Sequence, residues 1–326
     1  MSLRLPDFQG IKTVVTGGGG FIGSSIVRAL LERGAKVRVL DNFSTGNRAN
    51  LEDIWDDIEI VEGELRSYER VHAGMRGMEI VFHQAALPSV PRSVQDPLTT
   101  SAVNVDGTLN VLLAARDEGV SRIVFASSSS VYGDGGELPR REQSPTNPAS
   151  PYAVSKLAAE RYCISFSKIY GLETVSLRYF NVFGPRQDPR SQYAAVVPRF
   201  ITAIAAGKPV LIYGDGEQSR DFTYVANVVD LNLIAARAEG IAGSVINVAT
   251  GQSTTVNELA EMIGGILELP VKRELAPTRP AEVQASWAAL DTAKELLGWE
   301  PSVGLEEGLR LTAESIEGAF SAARTD

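Results

Sequence analysis

The sequence predicts an α/β fold: a doubly wound parallel sheet with a smaller C-terminal α/β lobe. Three observations carry this. Short apolar runs alternate with helical patterns as far as residue 178. Strands alternating with helices imply a parallel sheet covered on both faces. A four-glycine turn joins the first apolar run to the first helical pattern, and beyond residue 178 the rhythm loosens into a second region.

Residues 11–16 (Ile-Lys-Thr-Val-Val-Thr) read as a buried strand. Residues 21–33 follow as a helix stopped by Gly34. A second strand spans 36–40 and ends at Asp41; residues 58–61 and 79–83 read as further strands. Residues 98–118 predict one long helix stopped at Gly119, and 122–126 a strand ending at a run of serines. A loop rich in glycine, proline and charge covers 133–150. Pro151 suits the first position of a helix that runs to Tyr170 before Gly171. Residues 173–178 are the next strand.

Residues 180–192 are rich in Asn, Gly, Pro and Arg and read as a functional loop. A helix at 197–206, a strand at 210–213 and the turn Gly214-Asp215-Gly216 follow. Residues 225–238 and 245–248 read as a return to the first domain. Residues 255–267 and the helices from Asp291 onward complete the lobe. The expected division is 1–178 plus about 223–250 for one domain, and 179–222 plus 251–326 for the other.

Composition narrows the function. The 326 residues, 44% of them apolar, suffice for about two domains at ~150 residues each. Net charge is −9 and no Lys/Arg block stands out, which argues against a nucleic-acid partner. The first ten residues lack the apolar core of a signal peptide. No stretch reaches the ~20 apolar residues of a membrane span; the best, 193–206, is broken by Pro198 and Arg199. A single cysteine, Cys163, excludes a disulfide within the chain and fits a reducing, cytoplasmic setting. Its place in an amphipathic pattern reads as core packing. Two histidines, His72 and His83, without a cysteine cluster argue against a transition-metal site.

Residues 17–23, Gly-Gly-Gly-Gly-Phe-Ile-Gly, contain both G-x-x-G-x-x-G and G-x-G-x-x-G. Such a turn lets the backbone approach a pyrophosphate, and the helix start behind it offers N–H groups and a positive dipole end. The turn follows a strand and opens a helix, which is the context the motif requires. Four consecutive glycines leave the register open; Gly17, Gly20 and Gly23 are the favoured set. Asp41 ends the second strand about twenty residues on, where a carboxylate holds ribose hydroxyls. Its charge would repel a 2′-phosphate, so NAD is preferred to NADP.

Tyr152 and Lys156 stand four residues apart near a predicted helix start, on one face. A phenol ionises near pH ~10. A neighbouring ammonium favours the phenolate. The pair reads as a proton-transfer device, with Ser127-Ser128-Ser129-Ser130 shortly upstream.

This combination resembles the extended short-chain dehydrogenase/reductase superfamily over nearly the whole chain. The likeness runs through residues 16–23, His83-Gln84-Ala85-Ala86, Asn104, residues 128–133, residues 152–156, residues 178–185 and residues 214–222. The last two blocks are similar to those of nucleotide-sugar 4-epimerases acting on UDP-N-acetylglucosamine or UDP-glucose. The resemblance implies a Rossmann domain and bound NAD. It implies that Tyr152 takes the proton of the sugar 4-hydroxyl while C4 gives a hydride to NAD, and that the 4-keto sugar rotates and takes the hydride back on its other face. Lys156 lowers the Tyr152 pKa and bonds the nicotinamide ribose, and Ser128 bonds the sugar O4. Ser129 and Ser130 make secondary contacts.

Further cofactor contacts implied by the resemblance fall on Phe21, Ile22, Asn42, Ser44, Gly46, Glu64, Leu65, Gln84, Ala85, Ala86, Asn104, Ala126 and Tyr179. On the substrate side, Arg220 and Arg279 match diphosphate-binding arginines. Arginine suits bidentate phosphate binding. Asn181 matches a diphosphate contact, Tyr213 a uridine-side contact and Glu282 a ribose contact. Ala195 and Val196 would meet uracil through backbone atoms, and Ser89 and Ser286 would face the sugar. Asn104 has a second reading, a buried amide stabilising its helix.

Three departures carry information. Ser130 stands near where dehydratases and decarboxylases of the superfamily hold Glu, which removes an acid/base for dehydration and favours epimerisation. Ser286 stands at a gate where glucose-restricted relatives have Tyr; its small side chain leaves room for an N-acetyl group. Glu64 replaces the usual Asp beside the adenine. The competing enzymatic reading is UDP-glucuronate 4-epimerisation, with Ser89, Ser93 or Arg186 at the C6 carboxylate. A reading of another class is a non-catalytic NAD-binding regulatory protein, opposed by intact Ser128, Tyr152 and Lys156. The helices near 98–118 and 152–170 resemble those of an intersubunit four-helix bundle, which implies a homodimer.

Overall fold

The computed structural model describes residues 5–188, 195–278 and 283–322. The chain begins with β1 (Lys12–Thr16), α1 (Phe21–Leu31), β2 (Lys36–Asp41), β3 (Glu59–Glu62), α2 (Tyr68–Met75) and β4 (Ile80–His83). Then come α3 (Val90–Gln95), α4 (Pro97–Ser101), α5 (Gly107–Asp117), β5 (Arg122–Ser128), α6 (Pro151–Tyr170) and β6 (Glu173–Tyr179). The second half holds β7 (Val182–Phe183), α7 (Val196–Ala205), β8 (Val210–Tyr213), β9 (Ser219–Arg220), β10 (Thr223–Tyr224) and α8 (Val225–Arg237). It closes with β11 (Val245–Val248), β12 (Thr254–Thr255), α9 (Val256–Leu267), β13 (Arg273–Ala276), β14 (Ala285–Ser286), α10 (Asp291–Leu297) and α11 (Leu305–Ala322).

Seven strands form one parallel sheet in the order β11-β6-β5-β4-β1-β2-β3. The expected return of residues 245–248 to the first sheet is observed: β11 pairs with β6, with Val248 opposite Tyr179. Both sheet faces are buried, because neighbouring strand residues point to opposite sides. Val15 and Val39 join the core under α1 and α8; Val14 and Leu40 join the core under α2, α5 and α6. Cys163 lies in that second core, as expected. The strand order reverses between β1 and β4, so the carboxyl ends there open onto a crevice where ligands bind in such sheets.

The predicted helix over 98–118 is a correction. It is α4 and α5 joined by a π-helical turn, Ala102–Asp106. Asn104 sits in that wide turn with its side chain bound to the Leu87 backbone. Such π-bulges frequently mark functional sites. Helix α2 and a 3-10 stretch, Arg48–Asp57, had no expectation behind them. Small strands organise the second half: β10 pairs with β7, β13 with β8, and β9 lies between β12 and β14. In the last set Arg220 is opposite Ser286.

Candidate active site

The glycine turn is tightest at its two ends. Gly17 has φ +71°, and a Cβ there would lie 2.7 Å from the Ala85 backbone. A Cβ on Gly23 would lie 2.1 Å from the Gly17 carbonyl oxygen. Gly20 is the N-cap of α1 and brings no side chain to it. The first N–H groups of a helix lack intrahelical partners. With no capping side chain, those near Phe21, Ile22 and Gly23 are available to an anion such as a diphosphate.

Asp41 lies beside this turn. Its carboxylate accepts from the Gly19 N–H and the Phe43 N–H, both at 2.8 Å. Burial pushes its carboxyl above the usual range, and these backbone bonds oppose that. The following segment wraps over Gly19: a Cβ on Gly46 would sit 2.9 Å from the Gly19 carbonyl carbon, and the Asn47 N–H donates to the Gly19 oxygen at 2.9 Å. Asn42 accepts from the Ser44 N–H at 3.0 Å, and both are exposed. Glu64 pairs with Arg66, while Leu65 is buried with its carbonyl held by Asn110 at 2.8 Å. These residues border β2 and β3, the edge where a dinucleotide's adenosine half would lie. The turn, the capless helix and the carboxylate together fit a dinucleotide.

The chemical groups cluster at the end of β5. Pro151 opens α6 and Ser150 caps it, its hydroxyl accepting from the Ala153 N–H at 3.2 Å. That fixes the phase of the helix, so Tyr152, Lys156 and Glu160 share one stripe. Ser130 donates its hydroxyl to Ser128 at 2.9 Å, and Ser128 in turn hydrogen-bonds the Tyr152 phenol. Ser129 begins the 3-10 turn Ser129–Tyr132, which Ser128 caps by accepting from the Ser130 N–H at 3.2 Å. The structure therefore brings Ser128, Tyr152 and Lys156 together as expected from the sequence.

Burial dominates the electrostatics of the pair. Burial raises the Tyr152 phenol above its ordinary value, and the bond from Ser128 is what opposes it. Lys156 donates its Nζ to the Ala126 carbonyl at 2.8 Å and lies 5.1 Å from the centre of the Phe125 ring. It is 4% exposed, and burial lowers it to about 8. The Lys156 ammonium is thus held between the Ala126 carbonyl and the Phe125 ring.

Behind these groups runs a one-way hydrogen-bond chain. The Ala85 N–H donates to Thr16 at 3.2 Å, and the Thr16 hydroxyl lies 2.7 Å from His83 Nδ1. His83 Nε2 lies 3.0 Å from the Thr108 hydroxyl, which donates to the Asn104 carbonyl at 2.6 Å. Because Thr108 gives its proton to Asn104, it must accept from His83. Nε2 therefore carries the imidazole hydrogen and Nδ1 accepts from Thr16. Burial lowers His83 to about 3, so the ring is neutral at physiological pH. The Asn104 side chain bonds Leu87 N, Leu87 O and, at 3.0 Å, Ser155 beside Lys156. These bonds tie the π-helical turn to the loop after β4 and to α6. Gln84, Tyr179 and Asn232 form another cluster, with Tyr179 accepting from Asn232 at 2.8 Å and from Gln84 at 3.1 Å. Ala86 follows in the same half-buried loop.

The substrate-side expectations gather around Asp221. Its buried carboxylate accepts from Thr250 N and Oγ1, each at 2.7 Å, and from Gly251 N at 2.9 Å. Its own N–H donates to the Ser286 carbonyl at 2.9 Å, and its carbonyl accepts from Asn181 at 3.3 Å. Asp221 thus sets Arg220, Ser286 and Asn181 near one another, all half-buried. Asn181 has φ +25°, and Ser89 has φ +113° while capping α3 through a bond from the Arg92 N–H at 3.2 Å. Such values in non-glycine residues are strained and cluster at functional sites. Tyr213 ends β8, with its carbonyl held by Gln218 at 2.7 Å. Ala195 is the N-cap of α7 and Val196 its first residue. Arg279 and Glu282 lie outside the described residues.

Sequence reasoning did not single out Ser127, Glu160 or Asp221. Glu160 and Arg178 form a bidentate pair at 2.7 and 2.9 Å, 0% and 2% exposed, and Ser127 donates to the same carboxylate at 2.7 Å. The available signal was Glu160 four residues after Lys156 and an arginine ending the expected strand at 173–178.

Comparison with known proteins extends this picture. A family model described as the NAD dependent epimerase/dehydratase family matches residues 13–249. A UDP-glucose 4-epimerase of Mycolicibacterium smegmatis is 40% identical over 313 residues, 93% of this chain and 98% of that one. A structure of UDP-N-acetylglucosamine 4-epimerase from Methanobrevibacter ruminantium, in complex with UDP-N-acetylmuramic acid, superposes with a TM-score of 0.91 at 40% identity, covering 95% of this chain and 99% of that one. A Thermus thermophilus UDP-glucose 4-epimerase in complex with NAD gives 0.88 at 39% identity, covering 95% and 100%.

Proposed function

This chain belongs to the NAD-dependent epimerase/dehydratase family, and we propose that it inverts C4 of a UDP-hexose through a transient 4-keto intermediate. The observation that carries the reading is the relay from Ser130 through Ser128 to Tyr152, set at the carboxyl end of a dinucleotide-binding sheet. Bound NAD would supply a hydride acceptor that is restored within each cycle. The residues that would hold it are the Gly17–Gly23 turn, Asp41 and Lys156.

The remaining chemistry belongs to the chain. Tyr152 takes the proton of the sugar 4-hydroxyl and later returns it; Ser128 bonds the sugar O4 and steadies the phenolate. Lys156 favours that phenolate and bonds the nicotinamide ribose. Ser130 supplies a hydroxyl where dehydrating relatives hold a carboxylic acid, so elimination lacks its acid/base. Arg220 and Asn181, with Arg279, grip the diphosphate. Ala195, Val196, Tyr213 and Glu282 take the uridine, and Ser89 and Ser286 face the sugar. Ser286 leaves room for an N-acetyl group, so UDP-N-acetylglucosamine is a substrate in this reading. The nucleotide-sugar side comprises 179–222 and 251–326.

The active form is proposed to be a cytoplasmic homodimer. Leu98 at 82% exposure, Val154 at 52% and Tyr162 at 40% leave apolar surface on α4 and α6 that a second copy would cover. Among the described residues no helix is long and apolar enough to cross a membrane.

Purified protein incubated separately with UDP-glucose, UDP-N-acetylglucosamine and UDP-glucuronate tests the reading. The 4-epimer should form from the first two. Turnover of UDP-glucose without UDP-N-acetylglucosamine would sink the assignment of Ser286; turnover of UDP-glucuronate alone would sink the hexose reading. No epimer from any of them would leave a non-catalytic role.

A further inference from the structure

We propose that Ser127 and Glu160 are positioning residues that hold Ser128 in register with Tyr152; this rests on the catalytic roles given to Ser128 and Tyr152 above. Three residues of one stripe on α6 engage three consecutive residues of β5. Tyr152 bonds Ser128, Lys156 bonds the Ala126 carbonyl at 2.8 Å, and Glu160 accepts from Ser127 at 2.7 Å. The first two bonds involve groups given a part in the reaction. The third is fully buried and has none.

That third bond is anchored to a rigid post. Arg178 on β6 forks onto both oxygens of Glu160. Its guanidinium lies 4.7 Å from the centre of the Tyr132 ring and also donates to the Glu142 carbonyl at 3.2 Å. The Tyr132 hydroxyl donates to Asn247 of β11 at 2.7 Å, and the Asn247 N–H donates to Glu142 Oε1 at 2.8 Å. The carboxylate is therefore fixed from strands β6 and β11 as well as from its own helix. Ser127 is tied to that fixed point, and Ser128 is the next residue along the chain.

A buried ion pair is weak evidence for stability, since well-packed apolar residues often serve as well. An apolar pair would not accept the Ser127 hydroxyl. The grip also holds the Glu160 carboxylate on Arg178 and Ser127, away from Lys156 one turn before it on the same stripe. Misplacing a reacting group by about 1 Å can cost about a hundredfold in rate, so a modest loosening of Ser128 should be visible.

The test is Ser127→Ala, which removes one hydroxyl and keeps the ion pair. Two readouts are needed: steady-state kinetics with UDP-glucose, and ultraviolet titration of the Tyr152 phenol, assigned by its loss in Tyr152→Phe. The other titratable groups facing this cluster are Lys156 and Cys163 on α6, Arg178 on β6, His83 on β4, and Tyr132 and Glu142 on the loop after β5; none is altered by the substitution. The expected result is a kcat about three- to tenfold lower with KM within about twofold, and a phenol titrating roughly half a pH unit higher because its bond from Ser128 is loosened. A wild-type kcat with an unmoved phenol would overturn the inference. So would a kcat that falls only with the unfolding midpoint while the phenol stays put. If the unaltered protein epimerises no UDP-sugar, the proposed activity fails, and the phenol titration alone decides whether Ser127 positions Ser128.

Discussion

The Lys156 ammonium donates to the Ala126 carbonyl at 2.8 Å and, among the described residues, faces no carboxylate. Burial holds it near 8, well below an ordinary lysine. A lone buried cation is costly to a fold, and here it sits one helical turn after the phenol that would use its charge.

Tyr152→Phe should lower turnover by at least about a hundredfold while UDP-sugar affinity, measured by calorimetry, changes little. The ring and its packing remain, and only the proton-carrying oxygen is removed. Near wild-type turnover would make Ser128 or a water the base.

Lys156→Met should inactivate the protein yet stabilise its cofactor-free form at neutral pH. The sign follows from a folded pKa of about 8 below the unfolded value of 10.5. Between those values the unfolded chain binds more protons, so wild-type stability rises with pH there. Below about 8 the full cost of the buried charge is present. The variant should gain about 1–2 kcal/mol at pH 7, after loss of the bond to Ala126, and the gain should vanish as pH approaches the unfolded value. Urea unfolding at several pH values measures it; a variant weaker than wild type at pH 7 would show that the ammonium is well solvated.

His83→Gln should flatten the acid limb of stability. His83 is lowered from 6.5 to about 3, so between those values the unfolded chain takes up a proton that the folded one refuses. Stability falls as pH drops through this window, with up to about 1.4 kcal/mol per pH unit owed to His83 alone. The difference in unfolding free energy between the two proteins should therefore shrink from pH 6.5 to pH 4. A constant difference would mean that the ring is protonated in the fold.

Gly23→Ala should damage both folding and dinucleotide binding. The added carbon would press on the Gly17 carbonyl oxygen, a backbone atom that cannot step aside without moving the turn. A loss of about 1–3 kcal/mol in stability is expected, with NAD affinity falling in parallel by titration calorimetry. A protein with unchanged NAD affinity would contradict the close helix–turn packing seen here.

Asp221→Asn replaces a carboxylate that receives three donors at or under 2.9 Å. An amide nitrogen would meet one of those donors head-on. A cost of about 2–3 kcal/mol is expected. UDP-sugar affinity should fall further than NAD affinity, because shifting Asp221 also moves the backbone that holds the Ser286 carbonyl and the Asn181 side-chain amide. Equal losses of both ligands would mean general unfolding.

Much of this was legible in the sequence because it is local. The glycine turn, the strand ending at Asp41, Pro151 at the start of α6 and the Tyr152/Lys156 spacing are short-range patterns with direct physical meaning. The sheet followed from alternation. What stayed hidden is long-range or exceptional. The π-helical turn at Ala102–Asp106 comes with bonds from Asn104 to Leu87, a partner seventeen residues back, while the local pattern of 98–118 is simply helical. Glu160 looked like any helix acid; its meaning comes from Arg178, eighteen residues on, and Ser127, thirty-three residues back. Asp221 was read only as part of a motif around Arg220, since its partners Thr250 and Gly251 are set by tertiary contact. The phenol's environment also escaped, because burial outweighs a nearby charge and cannot be read from spacing.

The stripe of Tyr152, Lys156 and Glu160 makes α6 a keyed part. A helix turns about 100° per residue, so one residue inserted or deleted between 152 and 160 would swing at least one of the three attachments off β5. Substitutions at exposed polar positions of the helix, such as Arg161 and Lys168, turn no key. Across descendants of this chain, α6 should therefore drift freely in surface composition while its length between Tyr152 and Glu160 stays locked.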